Sequence, residues 1–431
     1  MIRIFIFFLL PFILANCSLN EDSKIWNKNK KVNIDKKIEV LFEDKKISYN
    51  ELNPNISLNL LKVDIQNKTL DNKNNFGVQK YSGKIKKIKN FRFAKFHNQA
   101  ETDLSPVFLD DGIIFFDNKG SIIRFDNNQK IVWKKNYFSK FEKKNYPKLS
   151  FMKFNNKLIV VDNLSNLFLI NIENGNLIWK KKNDYPFNSE IKIFDDKFFV
   201  IDLKNVLRCY FIKDGSECWS IETEKTLTIT SSKNSLLIDE NVVYFINNLG
   251  DLTAVDIFSG DLVWQLPTQS SDIINMTYIF KNSKLVSDGK SIFFSNNRNE
   301  FYSVNIKNGS INWINDISSS LTPILIKNLI ITISDNGFLF VIDKEKGNII
   351  KIKDIFKIYK DKNREKTKPI GFSISQDKIY LSNEDGKLLV LDLKTSNVLK
   401  VENIARDIMS KPFLYNNHLF MIKNGAVVEY E

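Results

Sequence analysis

NIENGNLIWKK, Asn171 to Lys181, runs from a polar turn carrying a glycine into two aliphatic residues, a tryptophan and lysines. Phrases built the same way recur: GSIIRFDNNQKIVW (Gly120 to Trp133), NLFLINIENGNLIW (Asn166 to Trp179), NVLRCYFIKDGSECW (Asn205 to Trp219), GDLTAVDIFSGDLVW (Gly250 to Trp264) and NEFYSVNIKNGSINW (Asn299 to Trp313). Two more, GFLFVIDKEKGNIIK (Gly337 to Lys351) and GKLLVLDLKTSNVLK (Gly386 to Lys400), end in lysine instead. Successive tryptophans lie 40 to 49 residues apart, and self-similarity at that period marks a repeat architecture. Each phrase reads as a strand (LFLINI), a turn (ENG) and a second strand (NLIW). The turn glycine supplies the left-handed backbone of a tight connection. Before each phrase stand two more β-rich runs, such as TPILIKN and LIITISDN. Four short strands per unit make an antiparallel blade, and blades set radially make a β-propeller.

A blade is apolar on both faces and must pack on its neighbours. The recurrent tryptophan on the outermost strand is therefore read as a cover for the seam between blades, not as a ligand-stacking residue. Seven phrases and a C-terminal remnant, KPFLYNNHLFMIKNGAVVEYE, predict eight blades, of which the last lacks its outer strand. An open ring leaves unpaired edges. The segment KIKKIKNFRFAKF, Lys84 to Phe96, is the donor expected to close it.

The 431 residues, 43% hydrophobic, suffice for one large repeat domain. The formal net charge is +13, but lysines are scattered along the chain among Asn, Ile and Phe, so nucleic acid is not the expected partner. Only His97 and His418 occur, neither in a nucleophile setting, and no glycine-rich phosphate loop or metal-ligand spacing is present. Asp256, Asp343 and Asp392 fall at the repeated turns, where a carboxylate bonds nearby backbone amides. No catalytic constellation is expected.

MIRIFIFFLLPFILANC combines an early Arg3, an apolar run from Ile4 to Ala15 and then Cys17, the pattern of a secretory signal. Leu14 to Cys17 resembles the bacterial lipobox, with Asn16 where the motif has a smaller residue. Residues 1–16 are thus expected to be a lipoprotein signal peptide and Cys17 the lipidated (palmitate-bearing) residue. Ser18 is not the aspartate associated with inner-membrane retention, which favours the outer membrane. Residues 17–82, polar and rich in Asn and Lys, are expected to be a partly disordered tether. Its apolar islands KIEVLFED and ISLNLLKVDI are candidates for docked strands or for partner-binding segments. The propeller is expected over 83–431. Cys209 and Cys218 flank one hairpin and are either a candidate disulfide or small core residues.

The repeat, clearest in GDLTAVDIFSGDLVW, resembles the quinoprotein-like (PQQ-type) propellers. Two classes carry it: quinone-dependent dehydrogenases, and the BamB family of lipoproteins of the β-barrel assembly machinery (the BAM complex). The enzymes are longer and hold their quinone near calcium and adjacent cysteines, features with no counterpart here. Lipobox, tether, eight blades and N-terminal closure together resemble the BamB family over residues 17–431. The resemblance implies a non-catalytic scaffold without cofactor, lipid-anchored at the periplasmic face of the outer membrane. It implies a monomer within a hetero-complex that binds the periplasmic domains of BamA and assists folding and insertion of outer-membrane β-barrel proteins, with their unfolded chains as clients. Family members make the contact through two neighbouring loops. TLTITS aligns with a Leu-x-Leu-Arg pattern, putting Leu227 and Ile229 on the leucines and Thr230 on the arginine. SDII aligns with an Asp-x-Asp pattern, keeping Asp272 and replacing the second aspartate by Ile274. Because propellers host many functions, the alternative is a periplasmic propeller lipoprotein that binds a ligand or polymer, with a quinone-dependent dehydrogenase behind it.

Overall fold

The quoted hairpin forms as its residues require. In the computed structural model, Asn166–Asn171 and Leu177–Lys182 run antiparallel around the turn. Asn171 Oδ1 accepts the amides of Glu173 at 2.9 Å and Asn174 at 3.2 Å, and the Asn171 carbonyl accepts that of Gly175 at 2.9 Å. Gly175 has φ +68°, which costs a residue with a Cβ about 1–2 kcal/mol. Asp256 caps its own turn in the same way, accepting Phe258 N and Ser259 N. The backbone hydrogen bond from Ser259, foremost, holds its carboxyl below the usual range. The structure describes residues 49–60, 65–66, 74–96, 104–224, 233–268, 281–405 and 410–431.

Eight four-stranded antiparallel blades follow one another around the ring. Blade 1 is Val107–Leu109, Gly112–Phe116, Ile122–Asp126 and Ile131–Lys135; blade 2 begins at Leu149 and blade 3 at Lys192. Blades 4, 5, 6 and 7 begin at Leu236, Val286, Ile324 and Pro369. Blade 8 takes Phe413–Tyr415, His418–Lys423 and Ala426–Tyr430 from the C-terminus, and its rim strand is Lys87–Arg92, with Phe91 opposite Val427. The strand expected within Lys84 to Phe96 thus closes the ring. The second and third strands of the blades are the most buried, and most fourth strands are largely exposed at the rim, that of blade 6 being only partly so. No described helix is long and apolar enough to cross a membrane.

Between third and fourth strands of blades 1 to 7 the register slips by one residue, in blade 2 between Leu169 and Ile170. Such a bulge sharpens the local twist. In blades 1 to 5 the tryptophan comes just after it, lying over the turn glycine of the following blade. A Cβ built on Gly175 would stand 2.7 Å from Trp133, and Gly215, Gly260, Gly309 and Gly347 meet Trp179, Trp219, Trp264 and Trp313 in the same way. Each indole also donates its N–H to a carbonyl of that next blade, from Trp133 to Ile172 O at 2.8 Å through to Trp313 to Lys344 O at 3.2 Å. The tryptophans are seam covers, as read from the sequence, and the core is divided accordingly. One cluster joins Ile159 and Leu167 of blade 2 to Phe198 and Tyr210 of blade 3.

Residues 49–60 and 74–82, grouped with the tether by composition, lie on the propeller. Tyr49 packs edge-on against Phe338 and Phe340 of blade 6, and Leu52 exchanges two backbone hydrogen bonds with Ile352 on that blade's rim strand. Residues 74–79 then touch the innermost strands of four blades in turn. Asn74 Nδ2 donates to Ile238 O and Asn74 O accepts Ser287 N. Asn75 pairs through its amide with both backbone groups of Leu325. Val78–Gln79 runs parallel to Ile374 and Ser375. These six residues thus run along the inner edges of blades 4 to 7.

Lys351 stands where blades 1 to 5 have tryptophan. It is fully buried (0% exposed), and Nζ donates to Thr395 O at 2.6 Å in the next blade's turn and to Ile56 O at 3.0 Å. It thereby closes a seam and ties down the N-terminal segment. Substitution of Lys351 by methionine keeps the stem and removes these donors. The Leu52 and Leu58 amides, bonded to Ile352 O and Lys394 O, should then exchange with solvent at least about tenfold faster. Burial pushes the Lys351 ammonium down to about 8 from its usual 10.5. Between those values the unfolded chain holds the proton and the folded chain does not. This group's contribution to stability therefore rises with pH from about 8 to 10.5 and is flat below. By chemical denaturation, the stability of the wild type relative to Lys351→Met should rise across that window and stay constant below it.

Candidate partner-binding face

In an antiparallel four-stranded blade, the link from the rim strand to the next blade opens on the same face of the ring as the turn between second and third strands. Two consecutive links carry the contact residues expected from the resemblance. The first runs from Glu222 in blade 3 to Leu236 in blade 4, the second from Leu266 in blade 4 to Val286 in blade 5. Leu227, Ile229 and Thr230 fall in 225–232, and Asp272 and Ile274 in 269–280, outside the described residues, as does Cys17. The structure describes both ends of each link and the floor between them.

Side chains clamp those ends. Asn205, at φ +62°, donates through Nδ2 to Glu224 O at 3.0 Å, while its carbonyl accepts Thr223 Oγ1–H at 3.0 Å. The first link returns through Asn234, which exchanges backbone hydrogen bonds with Asn188 and Glu190. The second link leaves where Thr268 Oγ1 donates to Gly250 O at 2.7 Å and returns where Lys281 N donates to Asn297 Oδ1 at 3.0 Å. Leu285 N donates to Ser235 Oγ at 2.8 Å, joining the two returns directly.

Between the links lies the turn of blade 4. Asn248 N donates to Asn205 Oδ1 at 3.1 Å, and Asn247 Nδ2 reaches both Thr223 Oγ1 and Asp251 Oδ2. Burial raises the Asp251 carboxyl above its usual range, against the hydrogen bond from Asn247. The bonds at Asn205, Asn247, Thr268 and Ser235 give the two loops fixed roots, as a contact surface needs, while the Asn248 side chain and Asn234 Nδ2 are buried without a partner. The floor holds no nucleophile with a base, and among the described residues no three His, Cys, Asp or Glu side chains converge as metal ligands. His418 lies far along the chain in blade 8, beside Glu429 at 3.4 Å.

Sequence reasoning missed Asn205, Asn247 and Thr268. The only signal was asparagine in place of glycine at the head of a phrase, and its partner Glu224 stands outside the repeat. Cys209 and Cys218 are free thiols. Cys209 is buried in the seam toward blade 4, and Cys218 is the extra residue of the bulge, opposite neither Cys209 nor Tyr210. Burial, reinforced by a hydrogen bond with Cys218, pushes the Cys209 thiol up.

The family model described as outer membrane protein assembly factor BamB matches residues 118–353, more than half of the chain. BamB from Moraxella catarrhalis superposes with a TM-score of 0.65 at 15% identity, over 80% of this chain and 99% of that one. A europium-containing methanol dehydrogenase gives 0.61 at 10% identity over 80% and 86%, and the quinohemoprotein alcohol dehydrogenase of Comamonas testosteroni 0.57 at 11% over 80% and 76%. At these identities the superpositions speak for the fold alone. No curated protein matches the chain in sequence. It is the match over residues 118–353, on an eight-bladed ring closed by its own N-terminal strand, that assigns the chain to a family: it belongs to that of the outer membrane protein assembly factor BamB.

Proposed function

We propose that this chain is a non-catalytic scaffold lipoprotein of the β-barrel assembly machinery. It binds the periplasmic domains of a BamA-type barrel protein and holds them for folding and insertion of outer-membrane β-barrel clients. The observation that carries the reading is the pair of links from blade 3 to 4 and from blade 4 to 5, rooted side by side on one face through Asn205, Thr268 and the Ser235–Leu285 bond. Leu227 and Ile229 serve as apolar anchors and Asp272 as a polar contact, since a few central residues supply most of an interface's affinity. Residues 1–16 act as the signal peptide, Cys17 carries the lipid, 17–82 links it to the ring at 83–431, and the protein works as a monomer within a hetero-complex at the periplasmic face of the outer membrane. In that oxidising compartment the neighbouring thiols of Cys209 and Cys218 are proposed to close a disulfide.

In a ligand-binding reading, which would use the mouth of the ring, residues 74–79 would have to share the inner edges of blades 4 to 7 with the ligand. The test is co-purification from detergent-solubilised envelopes. Tagged wild type should bring down the BamA-type barrel, and Leu227→Glu with Ile229→Glu should reduce recovery at least about tenfold, as expected for losing two central anchors. Recovery unchanged in the double variant would reject this contact, and no BamA under conditions that preserve other complexes would reject the role.

A further inference from the structure

Among the rim strands, basic charge is concentrated in one sector of the ring. The rim strands of three consecutive blades, KIKNFR of blade 8, IVWKK of blade 1 and LIWKKK of blade 2, carry eight cations and no carboxylate. The other five rim strands together carry three lysines and four carboxylates. Two of the eight are paired, Lys89 with Glu429 and Lys134 with Asp117. Lys135, Lys181 and Lys182 stand exposed at the ends of their strands that lead into the next blade.

At that edge, between blades 1 and 2, a short helix α1 (Lys140–Lys144) stands out from the ring with no buried residue. Its start is fixed by a capping box, Ser139 Oγ accepting Glu142 N and Glu142 Oε2 accepting Ser139 N. Asn166 of blade 2 donates to Glu142 Oε1, and Phe138 and Pro147 are buried on either side, so the helix is held in place by its flanks. On it Phe141 is 75% exposed, the most exposed large apolar side chain among the described residues, with Lys140, Lys143 and Lys144 around it. Lys180 Nζ donates to Tyr137 O at 3.1 Å, so helix and lysine-bearing rim form one continuous surface.

A capped helix that buries nothing has no internal use for a phenylalanine. An exposed aromatic on a helix that also carries three lysines suits the boundary between anionic headgroups and acyl chains, where the ring enters and lysines remain with the phosphates. We infer that the sector formed by blades 8, 1 and 2, with Phe141 on its helix, docks on an anionic phospholipid surface. A nucleic acid would need aromatics for base stacking along a basic track; the described sector exposes Phe141, Tyr146 and Tyr185, and the oligonucleotide arm of the test separates that ligand from a phospholipid surface. By ring order the sector is centred on blade 1, three blades from blade 4, whose two flanking links open on the same face of the ring as the link that carries α1. The inference stands without the BamA contact.

The test uses residues 49–431, one compact unit that contains all eight blades and the closing strand and lacks the apolar N-terminal run. It should float with vesicles of phosphatidylcholine containing about one-third phosphatidylglycerol and not with phosphatidylcholine alone, and salt should release it. The variant Lys135→Ser/Lys181→Ser/Lys182→Ser should bind at least about tenfold more weakly. Phe141→Ser should lose several-fold in affinity and keep the salt dependence. All four side chains are exposed, so melting temperatures should be those of the wild type. Equal binding to neutral vesicles, no binding at all, or full binding by either variant would overturn the inference. So would equal affinity for a single-stranded oligonucleotide with no effect of Phe141→Ser, which would mark a general polyanion surface.

Discussion

Trp133→Ala is expected to lower the free energy of unfolding by about 3–5 kcal/mol, the range for truncating a large buried aromatic. Trp133 is 7% exposed, lies over Gly175 and donates to Ile172 O. Arg124 Nη1 also donates to that carbonyl, so the loss is mainly of packing rather than of an orphaned acceptor. The seam makes a second, sharper prediction. Gly175→Ala should cost about 2–4 kcal/mol in the wild type, from its left-handed backbone plus the overlap with the indole. In the Trp133→Ala background the overlap is gone, and the same substitution should cost only about 1–2 kcal/mol. A double-mutant cycle by denaturant unfolding measures the difference directly. Additive costs would mean that the indole and the glycine are not in contact, and the seam described here would be wrong.

Phe91→Asp should be worse. Phe91 is 1% exposed on the closing strand, and its ring lies 5.7 Å from that of Phe125 in blade 1. A carboxylate there would sit within a cluster of buried apolar side chains, and losses above about 4 kcal/mol belong to this class of change. Detachment of Lys87–Arg92 leaves Ala426–Tyr430 with a bare edge, a template for pairing with another chain. The expected result is a lower melting temperature together with concentration-dependent oligomers in size-exclusion chromatography. Lys87→Asp, on the same strand but exposed, should leave both nearly unchanged. A monodisperse, equally stable Phe91→Asp would show that the ring does not depend on its N-terminal strand.

The two predictions probe features of different legibility. That Trp133 covers a seam could be read from its recurrence, because one local pattern repeated five times can satisfy only a repeated contact. That its seat is Gly175 could not, although Gly175 lies in the very phrase that revealed the repeat. The glycine's local need, a left-handed turn, already accounts for it, and its second role appears only when the next blade packs alongside. Lys351 is harder still: it breaks the repeat, and its partners Thr395 and Ile56 lie 44 and 295 residues away. Of the partner-binding face, Leu227, Ile229 and Asp272 were reached only through a family resemblance. Asn205 and Thr268, which root the loops, carry no signature beyond ordinary turn chemistry.

Strand period, turn residues and a spacing near 45 residues are local properties, and they determined the blade, the count of eight and the need for an N-terminal donor before any coordinates were known. They act within one repeat, where each residue's neighbours are close in sequence. The seat of each indole, the path of residues 49–60 and 74–79 over the ring, and the concentration of rim-strand basic charge on blades 8, 1 and 2 were decided by the tertiary structure alone. Those arrangements depend on which blades become neighbours once the ring closes, and on single contacts spanning up to some three hundred residues, which leave no period in the chain.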